Sequence, residues 1–124
     1  NSCMCLYYFL YWLVKYSLMA QDFKNILKVN EILPGQMNVV EFEGKTVCVA
    51  NVEGKFYAIN NICTHEGGPL NEGTLSDYEV ECPWHGARFD IRSGEVKSPP
   101  AESPVSIYEI KVEGDNIWMR KSSK

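Results

Sequence analysis

This sequence predicts an all-β domain, an antiparallel sandwich or barrel, on three observations. From residue 25 onward the helical period of 3.6 never takes hold, and short runs alternate apolar and polar residues instead. Turn chemistry interrupts the runs at intervals of roughly eight to twelve residues, the spacing of sandwiches and barrels. Glycine stands in most of the breaks, where positive φ comes at no steric cost. The expected strands, in order, are 25–29, 37–43, 46–52, 55–60, 78–82, 87–91, 105–112 and 116–120.

Each is bounded by its neighbours. The stretch "VVEFEGKTVCVANVEGKFYAI" holds three strands joined by "EGK" at 43–45 and again at 53–55, a meander. In the middle strand Val47 and Val49 share one face, while Thr46, Cys48 and Ala50 share the other. Both faces are apolar enough for a central strand. Later breaks are "SD" at 76–77, "SG" at 93–94 and "GDN" at 114–116. The segment "SPPAESP", 98–104, has three prolines in seven residues, so it is expected as a surface loop packed against the domain. No fixed-period repeat and no low-complexity segment occurs.

The 124 residues suit a single domain with one modest core. Acidic residues outnumber basic ones 16 to 12 with no Lys/Arg cluster, which argues against nucleic-acid binding. The net charge of −4 favours docking to a basic partner. Residues 1–18 differ from the rest, with an unbroken apolar run over residues 3–14 closed by Lys15. That run is shorter than the roughly 20 residues a spanning helix needs, and no basic region precedes it. Residues 1–18 are therefore expected to be an apolar extension foreign to the domain, which would occupy residues 19–124. A membrane anchor or signal remnant is the alternative. Cys3 and Cys5 sit in that tail with no partner ligand.

The five cysteines form no disulfide framework. Cys48, within "KTVCVANV", is expected as a small buried hydrophobe. Cys63 and Cys82 are different, because the chain's two histidines stand beside them in "CTHEGGPL" and "CPWHG". Cys63-x-His65 and Cys82-x-x-His85 are separated by sixteen residues. Thiolate and neutral imidazole suit zinc or an iron–sulfur centre. Zinc sites usually group like ligands, whereas mixed pairs on two loops suit a binuclear centre. A mononuclear zinc module for protein binding and two plain core histidines remain as alternatives. Gly67, Gly68 and Gly86 are expected to let backbone N–H groups approach bridging sulfides, and Pro69 and Pro83 to stiffen the loops.

With these residues the chain resembles the Rieske [2Fe–2S] family, over most of residues 24–120. The resemblance implies one [2Fe–2S] cluster, with a small cluster-binding subdomain of two loops over about residues 60–94. Cys63 and Cys82 would bind one iron, and His65 and His85 the other. In quinol-oxidising members each loop carries an extra cysteine, at positions that match Gly68 and Trp84, so that disulfide is absent. Those members also place serine and tyrosine hydroxyls near the cluster, where Ala87 and Phe89 stand here. The resemblance is therefore to the ferredoxin branch, which feeds electrons to aromatic-ring dioxygenases in the reducing cytoplasm. It implies a one-electron carrier rather than an enzyme, passing electrons from a flavoprotein reductase to a terminal oxygenase. A small subunit of a larger reductase, such as nitrite reductase, is the alternative. Trp84 would shield the cluster, join the docking face, or simply pack its loop.

Overall fold

The computed structural model describes residues 5–13 and 23–122. Residues 5–13 form a helix, α1, whose side chains are all exposed. The expected extension is thus described only in part: Cys3, Lys15 and its boundary at residue 18 lie outside the described residues. Among the described residues no helix is long and apolar enough to cross a membrane.

Ten strands follow: β1 (Lys24–Lys28), β2 (Met37–Phe42), β3 (Lys45–Val52), β4 (Lys55–Asn60), β5 (Thr74–Ser76), β6 (Glu79–Glu81), β7 (Arg88–Asp90), β8 (Val96–Ser98), β9 (Ile107–Glu113) and β10 (Asn116–Lys121). They build two antiparallel sheets, a six-stranded one in the order β1-β10-β9-β4-β3-β2 and a four-stranded one in the order β5-β6-β7-β8. The antiparallel all-β expectation holds.

The meander is β2, β3 and β4. Its turns, Glu43-Gly44 and Glu53-Gly54, have positive φ at both central residues: 50° and 81° in the first, 53° and 91° in the second. Paired positive φ gives a turn whose twist matches the flanking strands, which is why two-residue hairpins close there. Strand β3 is central, between β2 and β4. Alternation sends Val47 and Val49 into one core with Ile32, Phe42, Ala58, Tyr108 and Met119. Cys48, Ala50 and Val52 go to the other, with Leu70, Val80, Phe89 and Ile91. The second core joins the two sheets and also contains Cys63 and Cys82, so the ligand loops are anchored in it.

Strands β5 and β8 were not expected from the sequence. Each is three residues long, too short for alternation to register, and each is defined by its ladder, to β6 and to β7 respectively. The expected strands 78–82 and 87–91 shorten to β6 and β7. Cys82 and Ala87 leave the ladder and close the loop between them through a 2.7 Å bond from Cys82 N–H to the Ala87 carbonyl. The proline loop packs as expected. Ala101 and Val105 are buried in the core under the ligand loops. The Thr64 hydroxyl also donates to the Ser103 carbonyl at 2.6 Å, tying the loop to the first Cys-His segment.

Candidate metal centre

Two loops carry the Cys-His pairs, one between β4 and β5 and one between β6 and β7. Their backbones are alike. In the first, Cys63 N–H donates to the Gly68 carbonyl and Gly67 N–H to the Cys63 carbonyl, both at 2.9 Å. In the second, Cys82 N–H donates to the Ala87 carbonyl at 2.7 Å and Gly86 N–H to the Cys82 carbonyl at 3.2 Å. Each reversal needs a residue of positive φ four places after its cysteine, supplied by Gly67 at 79° and Gly86 at 76°. This corrects one expectation. The N–H groups of Gly67 and Gly86 are spent on their own cysteine carbonyls, so these glycines serve the turn rather than a sulfide.

Gly68 serves a different need. A Cβ there would lie 2.7 Å from Cys82 Sγ and 3.1 Å from Trp84 Cγ. The backbone of the first loop therefore runs against Cys82 of the second, and a side chain at position 68 would fit only if Cys82 Sγ and the Trp84 ring shifted. The same contact brings position 68 to position 84, the two places where the quinol-oxidising branch would bridge its loops.

The site is layered. Cys63 and Cys82 are free thiols, buried in the core. Burial pushes the Cys63 thiol up, and hydrogen bonds from backbone N–H groups, that of His65 foremost, pull it down. Cys82 beside it pushes it up again, first through a side-chain hydrogen bond and then through repulsion between the two sulfurs. Above the thiols the two imidazoles are exposed, with ring centroids 5.1 Å apart and planes at 85°. Glu66 completes the outer layer. Its Oε2 is 2.6 Å from His85 Nε2, and the ligating atoms of His65, Glu66 and His85 all lie within 4.8 Å of one another. Two histidines and a carboxylate alone would suit a mononuclear iron. Here the same two loops also carry two cysteines, both buried.

The residues fit a [2Fe–2S] group. Two soft sulfur donors lie inside and two borderline nitrogen donors outside, with N–H groups directed at a sulfur and glycine clearing the space beside the other. Sequence reasoning singled out the four candidate donors but not three residues that shape their loops. Asn61 holds the base of the first loop: its carbonyl accepts from Leu70 N–H at 2.8 Å, and its side chain exchanges bonds with Asn71 at 2.8 and 2.9 Å. Thr64 ties the loop to the proline segment. Glu66 was legible only by laying the two loops side by side, where it stands three residues after its cysteine, as His85 does. Trp84 is 56% exposed and Ile62 46%, so both present apolar surface beside the histidines.

Comparison with known proteins agrees with this geometry. Residues 22–109 match the family model described as the Rieske [2Fe–2S] domain. The chain is 38% identical over 96 residues to the biphenyl dioxygenase ferredoxin subunit of Pseudomonas sp. (strain KKS102), covering 77% of this chain and 88% of that one. It is 33% identical over 101 residues to the ferredoxin component of the naphthalene 1,2-dioxygenase system of Pseudomonas aeruginosa, covering 82% and 97%. Among solved structures it is similar to a chain in the complex of reduced oxygenase and oxidized ferredoxin in carbazole 1,9a-dioxygenase. The TM-score is 0.78 at 29% identity, over 84% of this chain and 99% of that one.

Proposed function

The chain belongs to the Rieske [2Fe–2S] domain family, and on that ground we propose that it is the electron-carrying ferredoxin of a multicomponent oxygenase system. The observation that carries the proposal is the layered site: two buried thiols under two exposed imidazoles, on loops of matching backbone. When bound, the [2Fe–2S] group takes up and gives back one electron.

The chain's residues set the conditions for that exchange. Cys63 and Cys82 would hold the inner iron, and their burial keeps water from the thiolates. His65 and His85 would hold the outer one, and their exposure places a conjugated ring at the protein surface, where a partner can touch it. Backbone N–H groups of His65 and Glu66 stabilise negative charge on the Cys63 sulfur. Ala87 and Phe89, both fully buried, bring no side-chain donor. Ile62 and Trp84 supply an apolar rim, the kind of surface that electron-transfer partners bury briefly.

The protein performs no substrate chemistry of its own in this reading. An open cleft of roughly 530 Å³ lies beside residues 31–38 and 71–75, and none of its lining residues is a candidate ligand. Cys63 and Cys82 lie side by side as free thiols, an arrangement that an oxidising compartment would endanger by disulfide formation before the cluster is loaded. This supports the cytoplasm as the place of work, with a flavoprotein reductase supplying the electron and a terminal oxygenase accepting it.

Coulometric titration tests the proposal. One electron per chain, taken up reversibly and delivered to a terminal oxygenase, is expected. Uptake of none, or retention of the electron in the presence of every oxygenase tried, would overturn it.

A further inference from the structure

We propose that Glu66 is a positioning residue of the metal centre: by capping His85 Nε2 it orients that imidazole and holds down the reduction potential of the bound cluster. The inference rests on the assignment of Cys63, His65, Cys82 and His85 as ligands. Glu66 Oε2 stands 2.6 Å from His85 Nε2, a short, charge-assisted contact. The loop backbones explain how it arises. Glu66 and His85 each stand three residues after their cysteine and directly before a positive-φ glycine, so matching turns deliver both side chains to one point. His65 has no equivalent cap: among the described residues no hydrogen bond reaches its ring. The two imidazoles are therefore inequivalent within the chain itself.

With Nε2 engaged by Glu66, Nδ1 is the His85 nitrogen left for iron. A carboxylate on the outer N–H of a ligating histidine fixes the ring and raises its basicity. One-electron reduction adds one negative charge to the centre, and a fixed carboxylate on a ligand opposes that charge. As an ion pair the contact does little for folding, since the side chains are 46% and 55% exposed and solvent screens them. Its influence comes from its place on a ligand.

Protein-film voltammetry of wild type, Glu66→Gln and Glu66→Asp, with iron and sulfide counted in each, tests this. Glu66→Gln should shift the reduction equilibrium about tenfold toward the reduced form, which is about 59 mV for one electron. Glu66→Asp, which keeps the charge, should stay closer to wild type. Added salt should narrow the gap. Pulsed EPR should find two unlike histidine nitrogen couplings in the wild type that converge in Glu66→Gln, a change that a merely structural role would not produce. Glu66→Lys, expected further positive still, provides the same test should the glutamine variant load poorly. Fully loaded Glu66→Gln at the wild-type potential would overturn the role of Glu66 while leaving the ligands standing. Wild-type protein that binds no cluster would overturn the ligand assignment itself.

Discussion

Replacing Gly68 with alanine should lower the metal loading of the centre without unfolding the protein. The added Cβ would lie 2.7 Å from Cys82 Sγ and 3.1 Å from two atoms of the Trp84 ring. Heavy atoms in ordinary contact sit about 3.5–4.0 Å apart, so the sulfur must retreat by about 1 Å. Metal sites tolerate ligand displacements of about 0.2 Å. The overlap exceeds that tolerance several-fold, so Cys82 and the Trp84 ring must shift before the site can close, and loading falls. Overpacking of this kind costs about 1–3 kcal/mol of folding stability, against about 5–15 kcal/mol for a typical domain. Gly67→Ala is the control. Its Cβ would meet only Ile62 Cγ2, at 3.8 Å, and its penalty is the left-handed backbone at φ 79°, about 1–2 kcal/mol. The two variants should therefore cost similar stability but differ in metal. Iron and sulfide per folded chain, measured beside thermal unfolding, distinguish them. Full loading of Gly68→Ala, or equal loss in Gly67→Ala, would refute the reasoning.

Three further outcomes follow from the same structure. Asp90 accepts from Arg92 Nε at 3.1 Å and Nη2 at 3.0 Å, and these bonds hold its carboxyl below the usual range. The stability this supplies is present above the unfolded pKa of about 3.9 and is lost as pH falls through the lower folded value. The gap in thermal midpoint between wild type and Asp90→Asn should thus be flat from about pH 7 to 5 and close below about pH 4; a gap unchanged at lower pH would contradict this. Cys48 is fully buried, and burial pushes its thiol up to about 12, so it offers no thiolate. Cys48→Ser should keep all its iron and lose about 1–3 kcal/mol for a hydroxyl among apolar neighbours, whereas Cys63→Ser or Cys82→Ala should lose the iron. Removing residues 1–18 should leave iron and sulfide unchanged, because every candidate ligand lies beyond residue 60; a metal-free or insoluble product would place the domain boundary elsewhere.

The parts legible in the sequence were those with a local physical signature. Strands β2, β3 and β4 announced themselves because alternation runs over six to eight residues and each Glu-Gly pair closes a tight turn. Strands β5 and β8 did not, because three residues carry no period and only their partners make them strands. The Cys-His pairs stood out by spacing, since four soft-to-borderline donors in two glycine-rich segments leave few other uses. Direction was not legible. Glycines at 67, 68 and 86 looked alike, yet two serve a turn and one clears space for a sulfur. Glu66 carried no signal of its own, because its partner lies 19 residues away and meets it only when the loops fold to the same shape.

The mixed ligand set, two cysteine sulfurs and two histidine nitrogens on one binuclear centre, is open to a single decisive observation. Protein grown with ¹⁵N-labelled histidine, reduced with dithionite and studied by pulsed EPR, should give a [2Fe–2S] signal of low average g value coupled to two histidine nitrogens. Iron and labile sulfide should each number two per chain, as the cluster's stoichiometry requires. One zinc without sulfide, or an iron–sulfur signal with no histidine coupling, would contradict the assignment of Cys63, His65, Cys82 and His85.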